Sequence, residues 1–183
     1  ARFGRMVAVL GLVVALLPLG AAPALATYEQ VCGPWVPVGN FNDVSPSSPH
    51  AFNIDCIKFW GITSQTGTFD PTAPVTRWQM ALFMMRTVQI EVDAVSGLDQ
   101  GFVDISGLTL DTQIAINSVR QLDITAGVAP TLYDPYSAVT REQMALFLTR
   151  LVKVAGVSLP SGAPGPFTDI GSLSSTSQVA INQ

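Results

Sequence analysis

The stretch Phe69–Arg86, FDPTAPVTRWQMALFMMR, returns as YDPYSAVTREQMALFLTR at Tyr133–Arg150. Between Val75–Val88 and Val139–Val152 ten of fourteen positions are identical, so one unit has been copied. Each copy reads as a turn followed by a capped helix. Asp70-Pro71 and Asp134-Pro135 suit the first two positions of a type I turn. Thr76 and Thr140 follow as N-caps, with Gln79 and Gln143 three residues on, the spacing of a capping box. Behind each cap runs an apolar stripe: Met80, Phe83, Met84 and Val88 in the first copy, Met144, Phe147, Leu148 and Val152 in the second. That is the period of a helix with one face on a core.

Working outward, a shorter signature opens each unit: Phe41-Asn42-Asp43-Val44, Phe102-Val103-Asp104-Ile105 and Phe167-Thr168-Asp169-Ile170, at spacings of 61 and 65 residues. A period of this size marks a supersecondary unit that buries its apolar face against its siblings. A first helix follows each opening, expected at about 50–60 and 111–122. A third begins where Gln178–Asn182 repeats the pattern of Gln113–Asn117. Ile54, Ile57 and Trp60 align with Ile116, Val119 and Leu122 and read as core. Gly61 suits the left-handed position that ends a helix; the second unit has Asp123 there. The fold class expected is mainly α, built of helix-loop-helix repeats: repeat one at 41–92, repeat two at 102–156 and the start of a third at 167–183. An N-terminal linker at 27–40 and linkers at 93–101 and 157–166 connect them, the last rich in Pro, Gly and Ser.

Arg2 and Arg5 precede an apolar run from Met6 to Leu19, and Ala24-Leu25-Ala26 supplies small residues for cleavage. Residues 1–26 therefore read as a secretory signal peptide, the run being shorter than the roughly 20 residues a spanning helix needs. Localisation is expected to be outside the cell, with no membrane attachment after cleavage. The sequence opens without Met and stops in mid-pattern, so it reads as part of a longer protein, with any cargo domain beyond Gln183. The whole chain carries 9 Lys and Arg against 13 Asp and Glu, and loss of Arg2 and Arg5 with the leader makes it more acidic still. That excludes a nucleic-acid binder, whose affinity rests on basic side chains neutralising phosphates.

Cys32 and Cys56 are the only cysteines, and an exported chain with two cysteines defaults to one disulfide; two free thiols are the alternative. With His50 the sole histidine, no His-based triad and no two-His metal site can be assembled. Neither a metal nor a cofactor is implied, and no catalytic set stands out.

The order F-x-D-V, short helix, G-I-T, F-x-P, then T-R-x-E/Q before an apolar helix resembles the S-layer homology repeat, a bacterial module that holds exported proteins on the cell wall. The resemblance implies repeats packed around a pseudo-threefold axis with ligand grooves between neighbours. It implies as partner a cell-wall polysaccharide or peptidoglycan-linked polymer, in many bacteria a secondary wall polymer bearing ketal-linked pyruvate. Its expected role is non-catalytic anchoring; the alternative is the targeting part of a wall-retained hydrolase whose catalytic domain lies outside this sequence.

Arg77 and Arg141 each follow a Thr cap, so their guanidinium groups are expected beside the open N–H groups of a helix N-terminus, an arrangement that grips an anion. A cation placed there opposes the macrodipole, which asks for a reason. The resemblance implies that these arginines contact the wall glycan; salt bridges to Asp104 or Asp169 are the competing reading. Asp43 and Asp104 read as turn-closing side chains, and the resemblance implies that they also reach the sugar. Gly127 matches a glycine at which the family's backbone approaches ligand. Repeat one departs here, with Gln65 in that place. Trp60, Trp78 and Tyr136 are the aromatics that could stack on sugar faces, Trp60 being placed in the core and Trp78 at the surface.

Overall fold

The computed structural model describes residues 28–88 and 96–183. The signal-peptide assignment at 1–26, and residues 89–95 at the end of repeat one and the start of its linker, lie outside the described residues. Among the described residues six helices appear in order: α1 (Tyr28–Val31), α2 (Ala51–Phe59), α3 (Arg77–Val88), α4 (Leu110–Gln121), α5 (Arg141–Val154) and α6 (Ser175–Asn182). Among the described residues the β structure is limited to isolated bridges. The chain is thus mainly α. None of the described helices is long and apolar enough to cross a membrane.

The helices pair across the unit boundaries. α3 packs on α4, α5 packs on α6, and α3 also touches α5. The second helix of one unit therefore covers the first helix of the next. The main core follows from this pairing: Met80, Ala81, Met84, Met85 and Val88 of α3 meet Ala115, Ile116 and Val119 of α4, with Phe102, Ile105, Ile124, Tyr133, Phe147 and Leu151 closing it. Neither unit could bury this stripe alone, which is the thermodynamic reason for a repeat array.

The linkers are part of the fold. Three times, the residue two places before the opening Phe donates its backbone N–H to the first helix of its own unit. Gly39 N bonds Asp55 Oδ1 at 2.8 Å, Gln100 N bonds Asn117 Oδ1 at 3.1 Å, and Gly165 N bonds Asn182 Oδ1 at 2.9 Å. A side-chain acceptor on a helix thus fixes where each unit begins, and the 157–166 segment, though Pro- and Gly-rich, lies along α6 for the same reason. Asp123 takes the place of Gly61 without changing the turn. Both are left-handed, with φ 55° and 70°, and both donate to the helix end, to Arg120 O and Lys58 O. Asp tolerates this region better than most side chains.

Three expectations about burial need correction. Trp60 is 37% exposed, not core; its indole N–H donates to Val31 O at 2.9 Å, and its ring sits edge-on to Trp35 and Phe59. Trp78 is instead partly buried against the main core. Leu148, aligned with the buried Met84, is 47% exposed, because α6 covers less of α5 than α4, Tyr133 and α5 together cover of α3.

Cys32 and Cys56 are joined in a disulfide, with Cα atoms 5.5 Å apart at a sequence separation of 24. It ties the N-terminal segment to α2, whose buried residues Ile54, Asp55 and Cys56 stand apart from the main core. Reduction is expected to lower the unfolding free energy by about 2 to 3 kcal/mol, through the freed loop of the unfolded chain. Urea melts with and without reductant check this; coincident curves would show that the bond contributes nothing.

Candidate functional site

Arg77 does not stand at an open helix N-terminus. It is 3% exposed and lies in the interface with the second unit. Its Nε donates to Tyr133 O at 2.8 Å, and the Tyr133 hydroxyl donates back to Arg77 O at 2.9 Å. The guanidinium carbon rests 4.8 Å from the centroid of the Tyr133 ring and 5.6 Å from that of Phe147. Nη2 has no hydrogen-bond partner, so these two ring faces are what meets its charge. No salt bridge to Asp104 forms; the ion pair among the described residues is Arg120–Asp123, at the surface.

The N–H groups at the start of α3 are also taken. Arg77 N bonds Ser137 O and Trp78 N bonds Pro135 O, each at 3.0 Å, while Val139 N bonds Val75 O at 2.9 Å, forming a short antiparallel bridge at Thr76 and Ala138. The loop of the second unit thus caps the helix of the first. Thr76 consequently makes half of its expected capping box: its N–H and hydroxyl both donate to Gln79 Oε1. Thr140 and Gln143, at the exposed start of α5, make the full reciprocal box. The Thr-Arg-x-Gln start is shared but the cap differs, because of these two helix starts that of α3 has a neighbour's carbonyls.

The aspartates hold turns. Asp104 accepts from Tyr133 N at 2.9 Å and from Asp134 N at 2.7 Å; Asp43 accepts from Phe69 N at 2.9 Å and Asp70 N at 2.7 Å. The Phe69 N–H is the main influence holding the Asp43 carboxyl below its ordinary pKa. The turn each one closes lies almost thirty residues downstream, and in it Asp70 and Asp134 are left-handed, with φ 57° and 60°. Pro71 then occupies the second position of a turn closed by Ala73 N on Asp70 O. Gly127 serves the Tyr133–Asp134 turn. At φ 79°, an added Cβ would stand 2.5 Å from Leu132 O and 2.7 Å from the Phe102 ring, so its missing side chain makes room for the protein itself.

Arg77, Asp104 and Gly127 are therefore brought together, but around Leu132–Asp134 rather than around open space. Tyr133 at their centre is fully buried, and burial pushes its hydroxyl pKa above the ordinary value, the Arg77 charge pulling the other way. Asp43 holds the equivalent Phe69 turn at a separate place. Arg141 is exposed at the start of α5.

Open grooves exist elsewhere, along the inter-unit helix pairs. Between α3 and α4 a groove of about 370 Å³ is lined by Trp78, Leu82, Arg86, Thr109, Asp111 and Tyr136, among others. Between α5 and α6 a groove of about 300 Å³ is lined by Leu146, Thr149, Arg150, Lys153, Thr176 and Val179, among others. Leu82 and Arg86 align with Leu146 and Arg150, so this is one groove made twice. Each arginine is anchored in the same way, Arg86 Nη1 on Ile62 O at 3.2 Å and Arg150 Nη1 on Ile124 O at 3.0 Å. One anchored N–H leaves further donors on the fork. The first groove offers two aromatic side chains with one cation and one acid; the second has Arg150 and Lys153 with hydroxyls and no acid in its lining.

Arg86 and Arg150 are not among the anion-binding residues expected from sequence, although both close the repeated stretch at matching positions. The signal was their identity between copies; what hid it was their place near the far end of a helix, where a cation is unremarkable because it suits the macrodipole. Among the described residues no cluster of His, Cys, Asp and Glu could hold a metal. No protein-family profile matches the chain, and no curated protein is significantly similar to it.

Proposed function

We propose that this chain is a non-catalytic anchoring module of the S-layer homology type, holding an exported protein at a bacterial surface by binding an anionic wall polysaccharide. In this reading the repeats surround a pseudo-threefold axis, and the polymer lies in the grooves between the second helix of one repeat and the first helix of the next. The observation that supports it is the recurrence of one anchored arginine, Arg86 and Arg150, in two successive grooves. A guanidinium held by one carbonyl is pre-organised to bind a carboxylate such as that of ketal-linked pyruvate, through its remaining donors. In the first groove Trp78 and Tyr136 add faces for sugar rings, and Asp111 confines an anion to the Arg86 side. In the second, Lys153 reinforces Arg150.

Arg86→Ala and Arg150→Ala are each expected to lower affinity for purified walls about ten- to a hundredfold, the worth of a charge-assisted bond. The Lys variants should recover part of it. Sedimentation with walls, before and after mild acid removal of pyruvate, measures the effect, and thermal melting runs beside it. Binding that falls only in step with the melting temperature would make these arginines loop buttresses and remove the support for this reading.

A further inference from the structure

We infer that the groove between α3 and α4 selects a zwitterionic sugar, one that carries a free ammonium group beside a carboxylate; this rests on the anchoring reading and names the ligand class of its first groove. Arg86 of α3 and Asp111 of α4 share one site, for both line the hollow of about 370 Å³ and an adjoining one of about 200 Å³. They do not neutralise each other, the ion pair among the described residues being Arg120–Asp123. Trp78 and Tyr136 line the larger hollow as well, so a sugar ring and two opposite charges are provided for together.

The start of α4 does not need Asp111 as a cap. Thr109 caps it by accepting from Thr112 N, and Ser174 caps α6 in the same way, accepting from Ser177 N. Counted from the shared Gln-x-Ala-Ile-Asn pattern, Thr176 holds in α6 the position that Asp111 holds in α4, and each lines its own groove. The repeat therefore builds this helix start with or without an acid. A carboxylate in the first turn does suit the macrodipole, and a role limited to that would show in stability and not in the choice of ligand.

Asp111 repels the anion that Arg86 attracts, so for a sugar bearing an acid alone it lowers affinity. The penalty becomes a gain when the same sugar brings an ammonium group to the α4 side, and a difference of that kind is specificity. A hexosamine with a free amine and an acidic ether on the neighbouring ring carbon carries both charges. N-acetylation leaves its acid and removes its cation. The second groove, with Arg150, Lys153 and Thr176, has no acid to make this distinction.

The probes are muramic acid, a glucosamine with a free amine and a lactyl ether carboxylate beside it, and N-acetylmuramic acid. Each is titrated calorimetrically into the purified chain at mildly acidic pH, where the amine is protonated. Muramic acid is expected to bind about five- to tenfold more tightly, the worth of a charge-assisted contact partly screened by water. Asp111→Asn should bring muramic acid to the level of the N-acetyl sugar without weakening the latter, and Arg86→Ala should weaken both. Because Asp111 is exposed and Thr109 keeps the cap, the Asn variant is expected to fold as the parent does. Equal affinity for the two sugars, absence of binding by either, or a preference that survives Asp111→Asn overturns the inference; a lowered melting temperature with the preference intact would assign the acid to the helix dipole. None of these results touches the anchoring reading, which falls separately if Arg86→Ala leaves sedimentation with walls unchanged.

Discussion

Tyr133→Ala is expected to lower the unfolding free energy by about 3 to 5 kcal/mol, the range for removing a large buried aromatic side chain. Tyr133 is fully buried at the junction of both complete units, stacked on Phe102, covered by Arg77 and hydrogen-bonded through its hydroxyl to the backbone of α3. Its loss opens a cavity and exposes the Arg77 charge to it. Tyr133→Phe keeps the ring and removes one hydrogen bond, so about 1 kcal/mol is expected. Urea denaturation with both variants tests the assignment. A small effect of Ala, or equal effects of Ala and Phe, would mean that the ring is not a keystone of the interface.

Arg77→Ala and Arg141→Ala should separate two residues that the sequence makes equivalent. At Arg77 the change deletes a charge-assisted hydrogen bond to Tyr133 O and two ring contacts in a buried interface, for an expected cost of about 3 to 4 kcal/mol. Arg77→Lys keeps a charge but not the planar stack and should recover little. At the exposed Arg141 the cost should stay within about 0.5 kcal/mol, as for surface changes generally. Thermal melts of the two single variants decide the matter. Equal destabilisation would refute the asymmetry between a buried and an exposed arginine.

Local chemistry was legible in the sequence because it depends on neighbours in the chain. The span from Thr140 to Met144 and its surroundings specify a capped amphipathic helix with no outside help, and the structure has one at Arg141–Val154 with the full capping box. The aspartates of the F-x-D openings were read as turn residues, and turns are what they hold, although the turns lie 26 and 29 residues away. Gly61 ends α2 left-handed, as its missing side chain allows.

Partners distant in the chain were not legible. Thr76-Arg77 and Thr140-Arg141 are identical in sequence, so no local rule could assign one to a buried interface and the other to the surface; only the arrival of Pro135–Val139 on α3 distinguishes them. The same holds for Gly127, whose glycine is required by the carbonyl of Leu132 and the ring of Phe102, and for Trp60, which the helical period placed inside although α2 lies apart from the main core. From sequence alone came the mainly α class, the repeat and the capped helices, since periodicity and capping act within a few residues. The tertiary structure decided which arginines are open, because α3 packs on α4 and α5 on α6, which buries Arg77 and leaves Arg86 and Arg150 lining the grooves between them.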